Sequence, residues 1–164
     1  LLILDRNKRP TYKNIFILVG PSASGKSSLV DKLMQKDCNI SKTISYTTRP
    51  PRYRSEPYNF ISVEEFNQLK KTNFFVETTE YKGAFYGTAY SDLEQFRYIG
   101  KKLIAIMDIN GALNVKRHYP DNTSLLYIER PKEDCIRSIL QRTISIDEIV
   151  SRISSIDEEQ KNKK

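Results

Sequence analysis

A set of glycine, lysine and serine residues near the start of the chain has the spacing of a phosphate-binding loop. Gly20, Gly25, Lys26 and Ser27 fit the pattern G-x-x-x-x-G-K-[ST]. The glycines allow a tight turn whose N–H groups converge on an anion at the start of a helix. Lys26 would reach the terminal phosphates of a nucleoside triphosphate, and the Ser27 hydroxyl would bind Mg²⁺. We call residues 20–27 the phosphate loop.

The segments on either side of the phosphate loop match the context that this motif requires. Ile15 to Val19 is a continuous apolar run, typical of a strand buried on both faces. Residues 26–37 predict a helix with one apolar stripe. The alternative is a strand-to-helix turn that is merely rich in glycine and serine, but a chance match occurs in well under about one per cent of such chains. The loop therefore indicates triphosphate binding and leaves the acceptor open.

Composition excludes several classes of protein. The chain has 164 residues and a net charge of +7, with two cysteines, Cys38 and Cys135, at no metal-binding spacing. We expect one domain in a reducing, cytoplasmic compartment, as a monomer or a homodimer. No apolar run approaches the ~20 residues that span a bilayer, so we expect no membrane partner. The basic residues are scattered and not striped with stacking aromatics, which argues against a nucleic-acid partner.

The order of the remaining elements predicts an α/β fold. Buried strands alternate with helices, which is typical of a parallel sheet flanked by helices. Residues 45–90 interrupt this alternation with shorter, half-polar strands and predict an inserted small mixed α+β lobe. Lys42 to Thr48 predicts one short strand, and three capping boxes predict helix starts at Ser62, Ser91 and Ser145. Residues 5–14 are polar and predict a short lead-in segment that contains no catalytic or binding residues.

A second motif contains two arginines in a loop stiffened by proline. Arg49 and Arg52 flank Pro50 and Pro51, and paired guanidinium forks can hold one phosphate group. The alternative is a pair of exposed loop arginines without a ligand. From the arginines alone both interpretations stay open.

From about Ile15 to Ile153 the chain resembles the guanylate kinases, a family of phosphate-loop enzymes. The resemblance implies ATP-dependent phosphorylation of GMP and dGMP in purine nucleotide metabolism, with ATP and GMP as substrates and Mg²⁺ as cofactor. The motifs that carry it are Gly-Pro-Ser-x-Ser-Gly-Lys-Ser at 20–27, Ser-x-Thr-Thr-Arg-x-Pro-Arg at 45–52, Tyr-Asn-Phe-Ile-Ser at 58–62, Phe-Val-Glu at 75–77, Tyr-Gly-Thr at 86–88 and Asp-Ile-Asn-Gly at 108–111.

The resemblance also implies a role for each matching residue. Those that bind the ATP phosphates are Gly20, Ser22, Ala23, Ser24, Gly25, Lys26, Ser27 and Ser28. Those that bind GMP are Ser45, Arg49, Arg52, Tyr58, Glu77, Tyr86, Thr88 and Asp108. The catalytic residues are Lys26, Arg137, Arg142 and Arg152, and Mg²⁺ is held by Ser27 and, through water, by Asp108.

Glu77 is the residue that would distinguish guanine from adenine. Its carboxylate would accept hydrogen bonds from guanine N1–H and N2–H₂, whereas adenine presents a bare acceptor at N1. The loss of such a buried polar pairing can give discrimination of ~10⁴. Without the family resemblance, the sequence predicts that Glu77 is a strand residue whose side chain faces solvent.

The resemblance divides the single domain into three parts. The core comprises about 12–44, 91–135 and 153–164, the GMP-binding lobe 45–90, and a short helical lid 136–152. Ser138 stands where the family usually has a further lid arginine. A weakly catalytic, guanylate-kinase-like interaction module that binds a phosphorylated partner is therefore the alternative, although such modules generally lose the phosphate loop.

Overall fold

The computed structural model describes residues 13–98, 101–142 and 144–161. Their strands are β1 (Ile15–Val19), β2 (Ile40–Lys42), β3 (Tyr46–Thr47), β4 (Asn59–Phe60), β5 (Phe75–Tyr81), β6 (Ala84–Ala89), β7 (Lys102–Ile106) and β8 (Thr123–Tyr127). Their helices are α1 (Lys26–Lys36), α2 (Val63–Lys71), α3 (Tyr90–Tyr98), α4 (Ile109–His118), α5 (Lys132–Leu140) and α6 (Ile146–Lys161).

The larger sheet is parallel and is covered by helices on both faces. Its strand order is β2-β7-β1-β8, and every pair is parallel. On one face Ile15 and Ile17 pack with Val115 of α4, and on the other Leu18 packs with Val30 of α1. The predicted α/β class is confirmed. Because the carboxyl ends of β1 and β7 lie at one edge, the segments that follow them meet there.

The smaller sheet has the order β4-β3-β6-β5 and mixes parallel and antiparallel pairs. Phe66 of α2 is fully buried against it and stacks on Phe75 and Phe85, with ring centroids 4.8 and 5.5 Å apart. Val76 of β5 joins the core cluster that contains α4 and the larger sheet. This packing holds β5 beside the edge of the larger sheet where β1 and β7 end.

The prediction of one strand from Lys42 to Thr48 is wrong. The structure has β2 and β3 there, in different sheets. The Thr43 N–H donates to the Ile104 carbonyl in the larger sheet, whereas the Ser45 carbonyl accepts from the Asn59 N–H in the smaller one. The segment therefore leaves one sheet and enters the other.

Two of the three helix starts predicted from capping boxes are confirmed. The Ser62 hydroxyl accepts from the Glu65 N–H at 3.0 Å, and the Ser145 hydroxyl accepts from the Glu148 N–H at 3.2 Å. The third is wrong, since α3 already begins at Tyr90, directly after β6.

Some predictions fall at or beyond the limits of the described residues. The described residues do not include most of the predicted lead-in at 5–14. They also do not include the two ends of the predicted core, residue 12 and residues 162–164. The division into core, lobe and lid stays a prediction. Within the described segments, no helix has both the length and the apolar character needed to cross a membrane.

Candidate active site

A cavity of about 270 Å³ lies between the two sheets, where β1 and β7 end. It is bounded by the phosphate loop, by β5 and β6 of the smaller sheet, by the segment after β7 and by α6. The predicted site residues that line it are Gly20, Ser22, Lys26, Ser45, Arg52, Tyr58, Glu77, Tyr86, Asp108 and Arg152. Residues from distant parts of the sequence therefore share one cavity.

The phosphate loop begins at a position that only glycine can occupy. Gly20 has φ 141°, and a Cβ there would lie 2.5 Å from the Ile128 carbonyl oxygen just beyond β8. The Lys26 ammonium group folds back and donates to the Gly20 carbonyl at 2.7 Å and to the Pro21 carbonyl at 2.8 Å. Burial lowers the pKa of Lys26, and the nearby Glu159 carboxylate opposes this effect. The loop thus presents a partly buried ammonium group to the cavity.

Helix α6 contacts the phosphate loop through two side chains that sequence reasoning did not connect. The Glu159 carboxylate accepts from the Ser22 N–H and, at 3.1 Å, from the Tyr81 hydroxyl. The Arg152 guanidinium donates to the Ser22 hydroxyl at 3.1 Å. The Glu159 carboxylate of the protein itself therefore accepts a hydrogen bond from one of the N–H groups of the phosphate loop.

Arg49 is held in place by a buried carboxylate. Its guanidinium donates to Glu56 at 2.7 Å and to the Tyr86 hydroxyl at 3.2 Å, and it lies 5.5 Å from the centre of the Tyr58 ring. Glu56 also accepts from the Arg52 N–H at 2.9 Å. Burial is the largest single influence on Glu56 and disfavours its charged form, but the hydrogen bonds from Arg49 and from the Arg52 N–H, together with the charges of both arginines, outweigh it and lower the pKa of Glu56. Glu56 thus fixes the loop that carries both arginines.

Arg52 and Arg152 meet on a single carboxylate oxygen. Glu148 Oε1 lies 3.1 Å from Arg52 Nη2 and 2.6 Å from Arg152 Nη2. Arg142 is exposed, yet partial desolvation, followed by the charges of Arg152 and Arg52, lowers its pKa. Arg52 and Arg152 therefore share one carboxylate at the cavity wall, and Arg142 lies close enough for their charges to affect its pKa.

Glu77 has one satisfied and one unsatisfied carboxylate oxygen. The Thr88 hydroxyl donates to Oε1 at 2.7 Å, whereas Oε2 is buried without a hydrogen-bond partner. The side chain lies on the cavity wall, and the residue is only 5% exposed. Burial raises its pKa to about 7, and the neighbouring Asp108 adds to the shift. Thr88 thus orients Glu77, and Oε2 is left as an acceptor.

The two carboxylate oxygens of Asp108 have different surroundings. Its Oδ1 caps α4 by accepting from the Asn110 N–H at 2.8 Å and the Gly111 N–H at 3.1 Å. Its Oδ2 is buried and has no partner. One oxygen therefore holds the helix, while the other is free for a ligand at the cavity.

The oxygen donors here fit Mg²⁺ held mainly by substrate phosphates and water. Mg²⁺ prefers oxygen ligands and keeps several waters in nucleotide sites. The Asp108 Oδ2 atom suits an outer-sphere contact, and Ser27, the last residue of the phosphate loop and the second of α1, is exposed. Among the residues that the structure describes, no three His, Cys, Asp or Glu side chains form a metal-binding group.

The remaining predicted residues do not all reach the cavity. Arg137 is 71% exposed at its side chain and pairs with Asp134 at 3.0 Å, so its predicted catalytic role has no support in this geometry. Ala23 packs against the cluster around Cys135, and its carbonyl accepts from Arg130 at 2.8 Å. Ser24, Gly25 and Ser28 complete the loop and the first turn of α1 without lining the cavity.

Comparison with known proteins identifies the protein family of this chain. The family model described as guanylate kinase matches residues 12–163. The chain belongs to the guanylate kinase family. The guanylate kinase of Polaromonas sp. (strain JS666) is 39% identical over 132 residues, which cover 79% of this chain and 64% of that protein.

Further guanylate kinase relatives show the same similarity. The guanylate kinase of Wolinella succinogenes is 37% identical over 77% of this chain and 60% of that protein. The guanylate kinase of Porphyromonas gingivalis is 33% identical over 88% of this chain and 81% of that protein. The chain thus spans less than two thirds of the Polaromonas and Wolinella proteins. The crystal structure of guanylate kinase from Anaplasma phagocytophilum aligns with a TM-score of 0.69 at 24% identity, over 91% of this chain and 71% of that one, and it shares the fold.

Proposed function

We propose that the chain transfers the terminal phosphoryl group of ATP to the phosphate of GMP or dGMP, giving ADP and GDP or dGDP. The observation that carries this proposal is the buried Oε2 atom of Glu77, an acceptor without a partner in the same cavity as Lys26. Guanine presents two adjacent donors to such an oxygen and its neighbour.

We also propose a reducing, cytoplasmic compartment for the protein, which fits Cys38 and Cys135 as free thiols.

In this proposal the protein aligns two phosphates and neutralises charge. The bond between the β–γ bridging oxygen and the γ-phosphorus breaks, and a GMP phosphate oxygen forms the new bond in line with it. Phosphoryl transfer of this kind needs little covalent chemistry from the protein. We therefore assign no general base.

The positive groups in and around the cavity would supply most of this neutralisation. Lys26 would contact the transferring group, Arg49 and Arg52 would bind the GMP phosphate, and Tyr58 and Tyr86 would donate to it. Arg152, with Arg142 beside it, would move from Glu148 to the phosphoryl oxygens. Mg²⁺, held by Ser27 and through water by Asp108, would neutralise charge on the β- and γ-phosphates.

Arg49→Ala is expected to raise the KM for GMP by about 10²-fold and to change the KM for ATP less than threefold, because one charge-assisted contact to the acceptor phosphate is lost. Initial rates measured against each substrate test this. Arg54→Ala is the matched control, since Arg54 is an exposed arginine of the same loop. An equal rise in both KM values would show that Arg49 does not belong to the acceptor site.

Glu159→Gln is expected to lower the KM for ATP by about tenfold, because the triphosphate no longer has to displace a carboxylate from the Ser22 N–H. Glu158→Gln, on the exposed neighbouring residue, removes the same charge and should change nothing. A higher KM for ATP in Glu159→Gln would mean that the carboxylate supports the loop and does not compete for it.

The proposed acceptor is tested by the dependence of ADP production on the nucleoside monophosphate. A coupled assay is run with ATP, Mg²⁺ and either GMP, AMP, CMP or UMP. We expect GMP to give a kcat/KM at least about 10³-fold above the other three, because only guanine pairs with Glu77. Equal rates with AMP would contradict the proposal. GMP binding without ADP production would favour the interaction module.

A further inference from the structure

Gly111 lies in the first turn of α4, directly against the side chain of Glu77. A Cβ placed on Gly111 would lie 2.8 Å from Glu77 Oε2 and 3.3 Å from Glu77 Cδ. It would also lie 3.4 Å from the sulfur atom of Met107. The carboxylate of Glu77 therefore occupies the space that any other residue at position 111 would fill.

The backbone offers no other reason for a glycine at this position. Gly111 lies inside a regular helix and is not among the described residues with positive φ. In a helix interior alanine is favoured over glycine, so the glycine weakens α4. Its N–H donates to Asp108, and an alanine N–H would do the same. The feature specific to glycine here is the room it leaves.

We propose that Gly111 is a positioning residue for guanine recognition, because the absence of its side chain allows the Glu77 carboxylate to present Oε2 to the base. This inference rests on the proposed function, in which Glu77 reads guanine. Thr88 fixes the other oxygen at 2.7 Å, so Glu77 is held between a hydroxyl on one side and a helix backbone on the other. Both supports determine where Oε2 lies.

Alanine at position 111 should disturb recognition more than folding. The atoms that a new methyl group would meet belong to the end of a flexible side chain, which can move. Oε2 must retreat by several tenths of an ångström to reach an ordinary contact distance. Displacement of a substrate-contacting group on this scale weakens binding and leaves the fold in place.

Gly111→Ala is therefore expected to raise the dissociation constant for GMP by about tenfold or more, measured by calorimetry without ATP. The ATP dissociation constant should change less than twofold, and the melting temperature should stay the same or rise, since alanine favours the helix. Asn110→Ala, on the exposed neighbouring residue, is the matched control and should leave GMP binding unchanged. A GMP dissociation constant within twofold of wild type would overturn the inference.

A double-mutant cycle shows whether the effect runs through Glu77. In a Glu77→Ala background the added methyl group meets no carboxylate, so Gly111→Ala should have no further effect on GMP binding. The same loss in both backgrounds would overturn the positioning role.

The binding readout also separates this inference from the proposed function. If wild type binds GMP but transfers no phosphoryl group, while Gly111→Ala still weakens binding, the inference stands and the proposed function fails. If wild type phosphorylates GMP and Gly111→Ala binds it equally well, the inference alone fails. Absence of GMP binding in wild type would overturn both.

Discussion

Replacing Lys26 with alanine is expected to lower kcat for phosphoryl transfer by about 10³-fold while the protein remains folded. Lys26 is the cation of the phosphate loop that lies on the cavity wall, and its ammonium group would neutralise charge on the transferring phosphoryl group. Its hydrogen bonds to the Gly20 and Pro21 carbonyls stay within the same loop, so we expect the fold to survive its removal. Steady-state kinetics and a thermal melt measure the two effects separately.

Lys32→Ala is the matched control for this variant. Lys32 is an exposed lysine of α1, the same helix that Lys26 opens, and its removal should leave kcat unchanged. Near-normal turnover in a folded Lys26→Ala protein would remove the phosphate loop from the reaction.

Replacing Glu77 with glutamine is expected to raise the KM for GMP by about 10²-fold. The amide keeps the size of the side chain but loses its charge. It can turn an NH₂ group towards the N1–H and N2–H₂ donors of guanine, and donors then face donors. The KM for ATP should change little, since Glu77 lies on β5 and would contact the base of GMP, whereas the phosphate loop would hold ATP. A KM for GMP within threefold of wild type would contradict the assignment of Glu77.

The pKa of Glu77 also predicts a pH dependence of GMP binding. Burial raises this pKa to about 7, so the carboxyl group is mostly protonated below pH 7 and ionised above it. Guanine requires the ionised form, because both donors need acceptor lone pairs. The KM for GMP should therefore rise about tenfold for each pH unit below 7 and level off above it.

Glu77→Gln is the control that isolates this titration. The phosphate of GMP itself titrates near pH 6, and that effect persists in the variant. The dependence on pH attributed to Glu77 is the difference between the two proteins. Identical pH profiles for wild type and Glu77→Gln would contradict a titrating carboxyl group at the base.

Elements specified by local sequence could be predicted. The apolar run of β1, the spacing of the phosphate loop and the stripe of α1 each depend on neighbouring residues, and the structure has them in place. The segment from Lys42 to Thr48 is predicted to be one strand, but the structure has two strands there, β2 and β3. Its composition does not encode which sheet each half joins, since that depends on Ile104 and Asn59, far away in sequence.

The carboxylates that organise the candidate site could not be predicted in the same way. Glu159 contacts a residue 137 positions earlier, and Glu148 joins arginines from two separate segments. In the sequence both belong to a charged helix and resemble a solvated face. A helical spacing of 148, 152, 155 and 159 was the available signal, because these positions share one face of α6. Nothing in that spacing indicates a phosphate loop as the partner.

Phosphoryl transfer to GMP is tested most directly by the identity of the products formed from equimolar ATP and GMP with Mg²⁺. Anion-exchange chromatography of the mixture separates all four nucleotides. We expect ADP and GDP to appear in equal amounts as ATP and GMP disappear, and both to form about 10³-fold more slowly with Lys26→Ala. Formation of ADP and inorganic phosphate with GMP unchanged would contradict phosphoryl transfer to GMP.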